Sequence, residues 1–227
     1  KWCLIPKKVC FFLTETGTIL QIINLHWSNL MGQDIPHATG VKHLGLWSGQ
    51  HECSVNVQNA IGDLYARTNC LNAQFQHTHF ETRIQLFASF CLHMYGSELW
   101  SVTNEPTVIQ SFMVALRKCI RHILKLPPMT HWNLLPALTG IQPANLMILN
   151  RCHSLMKLCH QSDNVLVNTC LENAINGSRS SVSTSIARLA EINSCRKSDL
   201  LLPRCVALAE KIEPEVEAVS EGIKELL

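Results

Sequence analysis

Residues Val108–Pro128 read VIQSFMVALRKCIRHILKLPP. From Ile109 the apolar residues Phe112, Leu116, Ile120, Ile123 and Leu124 recur at intervals of three and four, with Val108 beside them. That spacing lines one face of an α-helix. Asn104 is the expected N-cap, and Pro106 falls in the first turn, where a missing N–H costs nothing. Pro127-Pro128 are expected to stop the helix, because proline clashes with a continuing helical backbone. Arg117, Arg121 and Lys125 stand four residues apart and so share a second face, with Lys118 and His122 beside them. A helix with one apolar and one cationic side needs a support on the apolar side only.

Working outward, the neighbouring segments supply helical support. Val57, Ile61, Leu64, Leu71 and Phe75 predict a helix that starts near Ser54. Ile84, Phe87, Ala88, Cys91 and Tyr95 predict another that runs to about Leu99, with Phe87, Tyr95 and Trp100 in the core. Downstream, THWNLLPALTG (130–140) reads as a short helix broken at Pro136 and closed by Gly140. Pro143 opens a helix with Leu146, Leu149, Leu155, Met156 and Cys159 inward. NGSRSSVSTS (176–185) reads as a serine-rich linker, followed by a weak helix to Asn193. A final amphipathic helix carries Val206, Ala209, Ile212, Val216, Val219 and Ile223 on one face, and Glu210, Glu213, Glu215, Glu217, Glu221 and Glu225 make it acidic.

The first fifty residues read differently. VCFFL (9–13), TILQIINLHW (18–27) and VKHLGLW (41–47) are short runs rich in β-branched and aromatic residues, with turn residues in QDIPHATG (33–40). Gly45 and Gly49 bound the third. The expected fold class is mainly α with a small N-terminal β element, an α+β chain. Its segments are a β region over 1–53, a helical domain over 54–165, and a linker with an acidic helix over 166–227.

With 227 residues, 47% of them hydrophobic, the chain can bury a core. A formal net charge of +2 is too small to attract a polyanion by bulk charge, so any such affinity must come from a local stripe. The eleven cysteines are odd in number and lie singly in apolar patterns such as FASFCLHMY (87–95). That usage fits buried free thiols in a reducing compartment better than a secreted disulfide framework. The N-terminal apolar run is short and no small-residue cleavage site follows it. The uncharged run Thr16–Gln33 contains Gln, Asn, His and Ser and reads as no membrane span. The expected location is intracellular, nucleus or cytoplasm. The chain begins without Met and reads as a fragment.

Two readings of the cationic face stand side by side. Such a stripe lines a nucleic-acid backbone, where each neutralised phosphate releases counterions. It is also an ordinary solvated face, with cations favoured near the C-terminal end of the helix dipole. The second reading expects acids nearby, and Glu105 is the only acidic residue between Glu98 and Asp163.

Other chemistries find little. Cys152, His153, Cys159, His160 and Cys170 are metal-ligand types, but zinc wants close pairs, and Cys152 and Cys159 stand two turns apart. They read as core thiols and surface histidines. His77 and His79 receive no role. No Gly-x-Ser-x-Gly or Gly-Lys-Ser/Thr phosphate loop occurs. The four aspartates, Asp34, Asp63, Asp163 and Asp199, are isolated, so no two-metal carboxylate cluster assembles from neighbours in sequence.

The order of motifs carries a resemblance. VKHLGLW is followed by AIGDLYARTNCLNAQF (60–75), TRIQLFASFCLHMYGSELW (82–100), IQSFMVALRKCIRHILKLPPMTHWNLLPALTG (109–140) and NRCHSLMKLC (150–159). From Lys1 to about Cys170 this series resembles the C-terminal part of the reverse transcriptase of non-LTR (LINE-type) retrotransposons. The resemblance implies part of a right-hand RNA-directed DNA polymerase: a palm remnant over 1–53 and a helical thumb-like domain over 54–165. Lys42, His43, Leu44 and Gly45 match the segment that helps to position the primer end. Arg117, Lys118, Arg121 and Lys125 match the thumb surface near the template–primer duplex. The implied partners are an RNA/DNA template–primer, bound weakly and in a salt-sensitive way, and the missing N-terminal palm and fingers, with no membrane.

The family's aromatic-Ala-Asp-Asp box and an earlier aspartate precede the KHLG segment and do not occur in this chain. No catalytic residue is therefore carried over, and the chain is expected to be inactive alone. Its Mg2+ belongs to the missing catalytic palm, leaving no cofactor here. The acidic segment 204–227 departs from the family and is expected to stay off a duplex. Two other readings remain: a helical protein-interaction module whose acidic helix docks in a partner's groove, and a metal-stabilised helical domain.

Overall fold

The computed structural model describes residues 29–30, 33–34, 40–49, 51–100, 102–177, 180–202, 205, 220–221 and 223–224. The expected strands over 9–13 and 18–27, and all but a few residues of the acidic helix, lie outside these. The fold is mainly α with a small antiparallel β element near the N-terminus. The chain divides into two compact units, residues 1–56 and 57–227.

In the first unit, β1 (Asn29–Leu30) pairs antiparallel with β2 (Gln33–Asp34). A second pair joins β3 (Gly40–His43) to β4 (Leu46–Gly49), with His43 opposite Leu46. VKHLGLW is therefore a hairpin rather than one strand. The reason is local: the loop residues Leu44 and Gly45 both take positive φ, 48° and 89°, the backbone twist that suits a two-residue hairpin loop. Asn56, in the first helix α1 (Glu52–Phe75), clamps β4 from both sides. Its Oδ1 accepts from the Trp47 N–H and its Nδ2 donates to the Trp47 carbonyl, each at 2.8 Å. The Trp47 indole covers Gly40 so closely that a Cβ there would clash.

In the second unit, α1 buries Val57, Leu64, Thr68 and Leu71. Phe75, expected inward, stays partly exposed near the helix end. The helix α2 (Phe80–Leu86) runs directly into one π-helical turn, Phe87–Cys91. A π turn carries an extra residue and shifts the inward register. Phe87 and Cys91 are buried, while Ala88 is exposed. The helix ends at Cys91, not near Leu99, and a short 3₁₀ turn (Ser97–Leu99) follows a left-handed Gly96. Met94 occupies the core instead of Tyr95, which is 61% exposed. Trp100 is buried as expected and meets Phe112 edge-on, ring centroids 5.3 Å apart.

Helix α3 (Pro106–Leu124) is the central element, burying Ile109, Phe112, Ala115, Leu116, Cys119, Ile120, Ile123 and Leu124. Its N-cap is Glu105 rather than Asn104, with Pro106 at the first helical position. Thr68 sits between the Cys91 and Cys119 thiols, so α1, the π turn and α3 meet at one polar point. Burial pushes both thiols up, partly offset by the Thr68 hydroxyl.

Helix α4 (Leu134–Thr139) carries Pro136 in its first turn, where an N–H would lack an intrahelical partner anyway, and so is not broken by it. Helix α5 (Ala144–His160) buries Leu149 and Met156 as expected, but also Ile148, Cys152 and His153; Leu146, Leu155 and Cys159 are only half-buried.

The second half of the expected linker, 181–185, is helix. Ser180 caps α7 (Ser181–Ile192) by accepting from the Ser183 N–H at 3.2 Å. Serine at an N-cap starts a helix as readily as it fills a loop. Ser183 and Ser185 are small enough to lie buried on its inner face. Ile186, Leu189 and Ala190 join Leu171 and Ala174 of α6 (Val165–Ile175), Leu149, Cys152 and Met156 of α5, and Leu200 in one cluster. His153, expected at the surface, is buried with Nε2 2.9 Å from the Leu200 carbonyl, which ties down the 3₁₀ turn Lys197–Leu201.

Arg83 of α2 is 5% exposed, and its Nε and Nη1 find no hydrogen-bond partner among the described residues. Each unsatisfied buried donor costs about 1–3 kcal/mol. Arg83→Met keeps an apolar stem and removes both donors. Its urea-unfolding midpoint is expected to equal or exceed that of the parent chain, and a lower midpoint would show that the guanidinium is stabilising.

Candidate nucleic-acid interface

The expected cationic residues divide on the structure. Arg117 and Arg121 turn toward the loop between α3 and α4. Arg121 donates from both Nε and Nη2 to the Thr130 carbonyl, at 3.1 and 2.9 Å. The Arg117 guanidinium carbon lies 4.8 Å from the centre of the Trp132 ring, a cation–π distance. Lys118 is exposed on the next row and makes no hydrogen bond or ion pair among the described residues.

Lys125 departs from the expected line. The helix stops at Leu124, and Lys125 takes a left-handed backbone at φ 55°. Leu126 N–H donates to the Arg121 carbonyl at 2.9 Å and Lys125 N–H to the His122 carbonyl at 3.2 Å. This is the paired closure of a Schellman end, usually built on glycine. Residues before proline avoid the helical region, so Pro127 forces the stop before it is reached. The Lys125 ammonium then donates to the Gln76 carbonyl at 3.1 Å, fastening the end of α3 to the loop that follows α1.

The sequence reading placed Thr130–Asn133 in a short helix, but the helix starts only at Leu134 and these four residues form the loop before it. Thr130 Oγ1 donates to the Pro127 carbonyl at 2.8 Å. His131 and Trp132 follow, their rings stacked at 5.9 Å and 29°. Asn133 N–H makes a long contact of 3.4 Å with His131 Nδ1. Trp132 is 43% exposed and Met129 92%. The signal was available in MTHW (129–132), where two planar side chains stand just beyond a basic helix, a pattern that composition alone does not weigh.

The ion pairs among the described residues join His79 to Glu81, Arg151 to Glu98, Arg188 to Glu191, Arg196 to Asp199 and Lys224 to Glu221. None involves Lys118, Arg121 or Lys125. The solvated-face reading expected acids beside Lys118, Arg121 and Lys125.

Lys42, His43, Leu44 and Gly45 are brought together at the tip of the β3–β4 hairpin. All four are exposed, Leu44 to 76%. They belong to the first unit.

The metal-ligand types do not converge. No group of three or more His, Cys, Asp or Glu among the described residues is placed to hold a metal ion. Burial pushes the Cys152 thiol up to about 12, whereas a metal needs a thiolate. The nine described cysteines are free thiols, five of them buried. Among the described residues the aspartates stand on separate elements: Asp34 in β2, Asp63 on α1, Asp163 just after α5 and Asp199 in the last 3₁₀ turn. No described helix is long and apolar enough to cross a membrane.

No family model, curated protein or solved structure matches the chain.

Arg121 and Lys118 have separable roles on this geometry. A charged donor to a carbonyl is worth roughly 1.5–3 kcal/mol when well shielded, and Arg121 is only half-buried. Arg121→Ala is expected to lower unfolding stability by about 1 kcal/mol, and Lys118→Ala to change it by less than about 0.5 kcal/mol. Equal losses in a urea titration would contradict the assignment of Arg121 as the residue that holds the loop.

Proposed function

We propose that the chain is the thumb-containing part of a non-LTR retrotransposon reverse transcriptase that contacts template–primer through α3 and has no polymerase activity of its own. The motif order from KHLG to NRCHSLMKLC supports the family. One observation carries the contact: Arg121 holds the loop that bears the exposed His131 and Trp132 rings, Lys118 is exposed on the next row of the same helix, and no described carboxylate is paired to either cation. Free thiols buried in the core accord with an intracellular location.

Arg117, Lys118, Arg121 and Lys125 would meet phosphates, and the hairpin tip Lys42–Gly45 would approach the primer end. The chemistry of polymerisation would belong to residues outside this chain, along with its Mg2+.

A second reading, a helical interaction module, draws on an apolar groove between α1 and the π turn. It has a volume of about 490 Å³, is lined by Leu71, Phe75, Leu86 and Phe90, and leaves Phe90 62% exposed. That reading expects no dependence on the cations of α3.

Binding of an RNA–DNA hybrid, followed across a salt series, separates the two. The affinity should be weak and fall steeply with salt, and replacing Arg117, Arg121 and Lys125 together should flatten the slope by roughly three units. Salt-independent binding, or none at low salt, would reject the polynucleotide reading. Primer extension by the chain would reject its inactivity.

A further inference from the structure

The loop after α3 presents more than charge. Arg121 clamps the Thr130 carbonyl, and Thr130 in turn holds Pro127. The two residues that follow the clamp are therefore aimed by backbone, not left to wander. They are His131 and Trp132, their rings nearly parallel at 29°. Arg117 lies against the Trp132 ring, and both rings retain exposed surface.

Stacked planar groups fixed at the surface beside cations have a particular chemistry. In a duplex the faces of the bases are covered by their neighbours, and only edges and phosphates are offered. An unpaired base offers its face, and such faces stack on aromatic side chains and on arginine. Cations alongside then take the phosphates of the same strand.

We propose that His131 and Trp132, with Arg117 against the Trp132 ring, form a stacking platform for unpaired bases of a single-stranded polynucleotide. This rests on the polynucleotide reading above and narrows it. Arg121 and Lys118 lie along the path of that strand's phosphates. Every base has a face, so the platform tolerates any sequence.

Trp132 also has an inner side. It helps to close a space of about 30 Å³ lined by Leu116, Ile120, Leu135 and Ile141. Trp132→Ala thus tests two roles at once. Trp132→Phe keeps an aromatic face and apolar filling, and His131→Ala removes a ring that stands at the surface.

The experiment measures anisotropy of a labelled oligothymidylate and of a labelled duplex at low salt, with thermal melts of each variant. A base stacked on an aromatic ring contributes enough that Trp132→Ala should weaken single-strand binding about tenfold, with the salt slope unchanged. His131→Ala should weaken it by a smaller factor, and Trp132→Phe should recover most of the loss. Duplex affinity should stay within about twofold for all three, because its contacts are to phosphates. The platform is overturned if the single-strand affinity ignores both rings, if Trp132→Phe is as weak as Trp132→Ala, or if duplex and single strand lose equally. Parent chain that binds duplex but not oligothymidylate overturns the platform alone, whereas parent chain that binds neither overturns the polynucleotide reading with it.

Discussion

The burial of one side of α3 is the constraint on which the rest depends. Eight of its side chains are in the core, from Ile109 to Leu124. They meet Trp100 at one end, and the Thr68–Cys91–Cys119 contact joins them to α1 and the π turn. A helix held that firmly along one side has a single direction left for its charged residues. Lys118 is thus carried outward by that packing, while Arg121 is held by the Thr130 carbonyl and Arg117 lies against the Trp132 ring. Pro127 and the left-handed Lys125 fix where the helix ends, and hence where the loop with His131 and Trp132 leaves it.

The cations on this helix serve the fold as well as the surface. Arg121 spends two donors on a backbone carbonyl, and Lys125 reaches Gln76. A guanidinium has five N–H donors in a planar fork. Arg121 therefore keeps donors in hand while it shapes the loop, which a lysine's point charge would do less well. The arrangement couples the two functions: the group that organises the loop also carries charge to the surface beside it.

Much of this was legible in the residues. The apolar period of α3 placed Val108, Ile109, Phe112, Leu116, Ile120, Ile123 and Leu124 inside, and all but the half-buried Val108 are buried. Trp100 and Phe87 were assigned to the core correctly. Periodicity assumes a constant turn, and it failed where the turn changed: the π turn at Phe87–Cys91 moved Ala88 and Tyr95 outward and Met94 inward. Local chemistry with two uses misled elsewhere. Serine is a loop former and an N-cap, and Ser180 acts as the cap. Glycine bounds strands and turns hairpins, and Gly45 turns one. For the candidate site, charge spacing named Arg117, Lys118, Arg121 and Lys125, whereas the left-handed end at Lys125 and the rings of MTHW depend on three-dimensional closure that spacing does not encode.

The most direct measurement is lysine footprinting of the whole chain by acylation and mass spectrometry, with and without an RNA–DNA hybrid at low salt. Lys118 is exposed and unpaired among the described residues, so its labelling reports contact and not unfolding. The account predicts strong protection of Lys118, with Lys197 and Lys224 labelled as before. Unchanged labelling of Lys118, or protection spread evenly over all three, would contradict it.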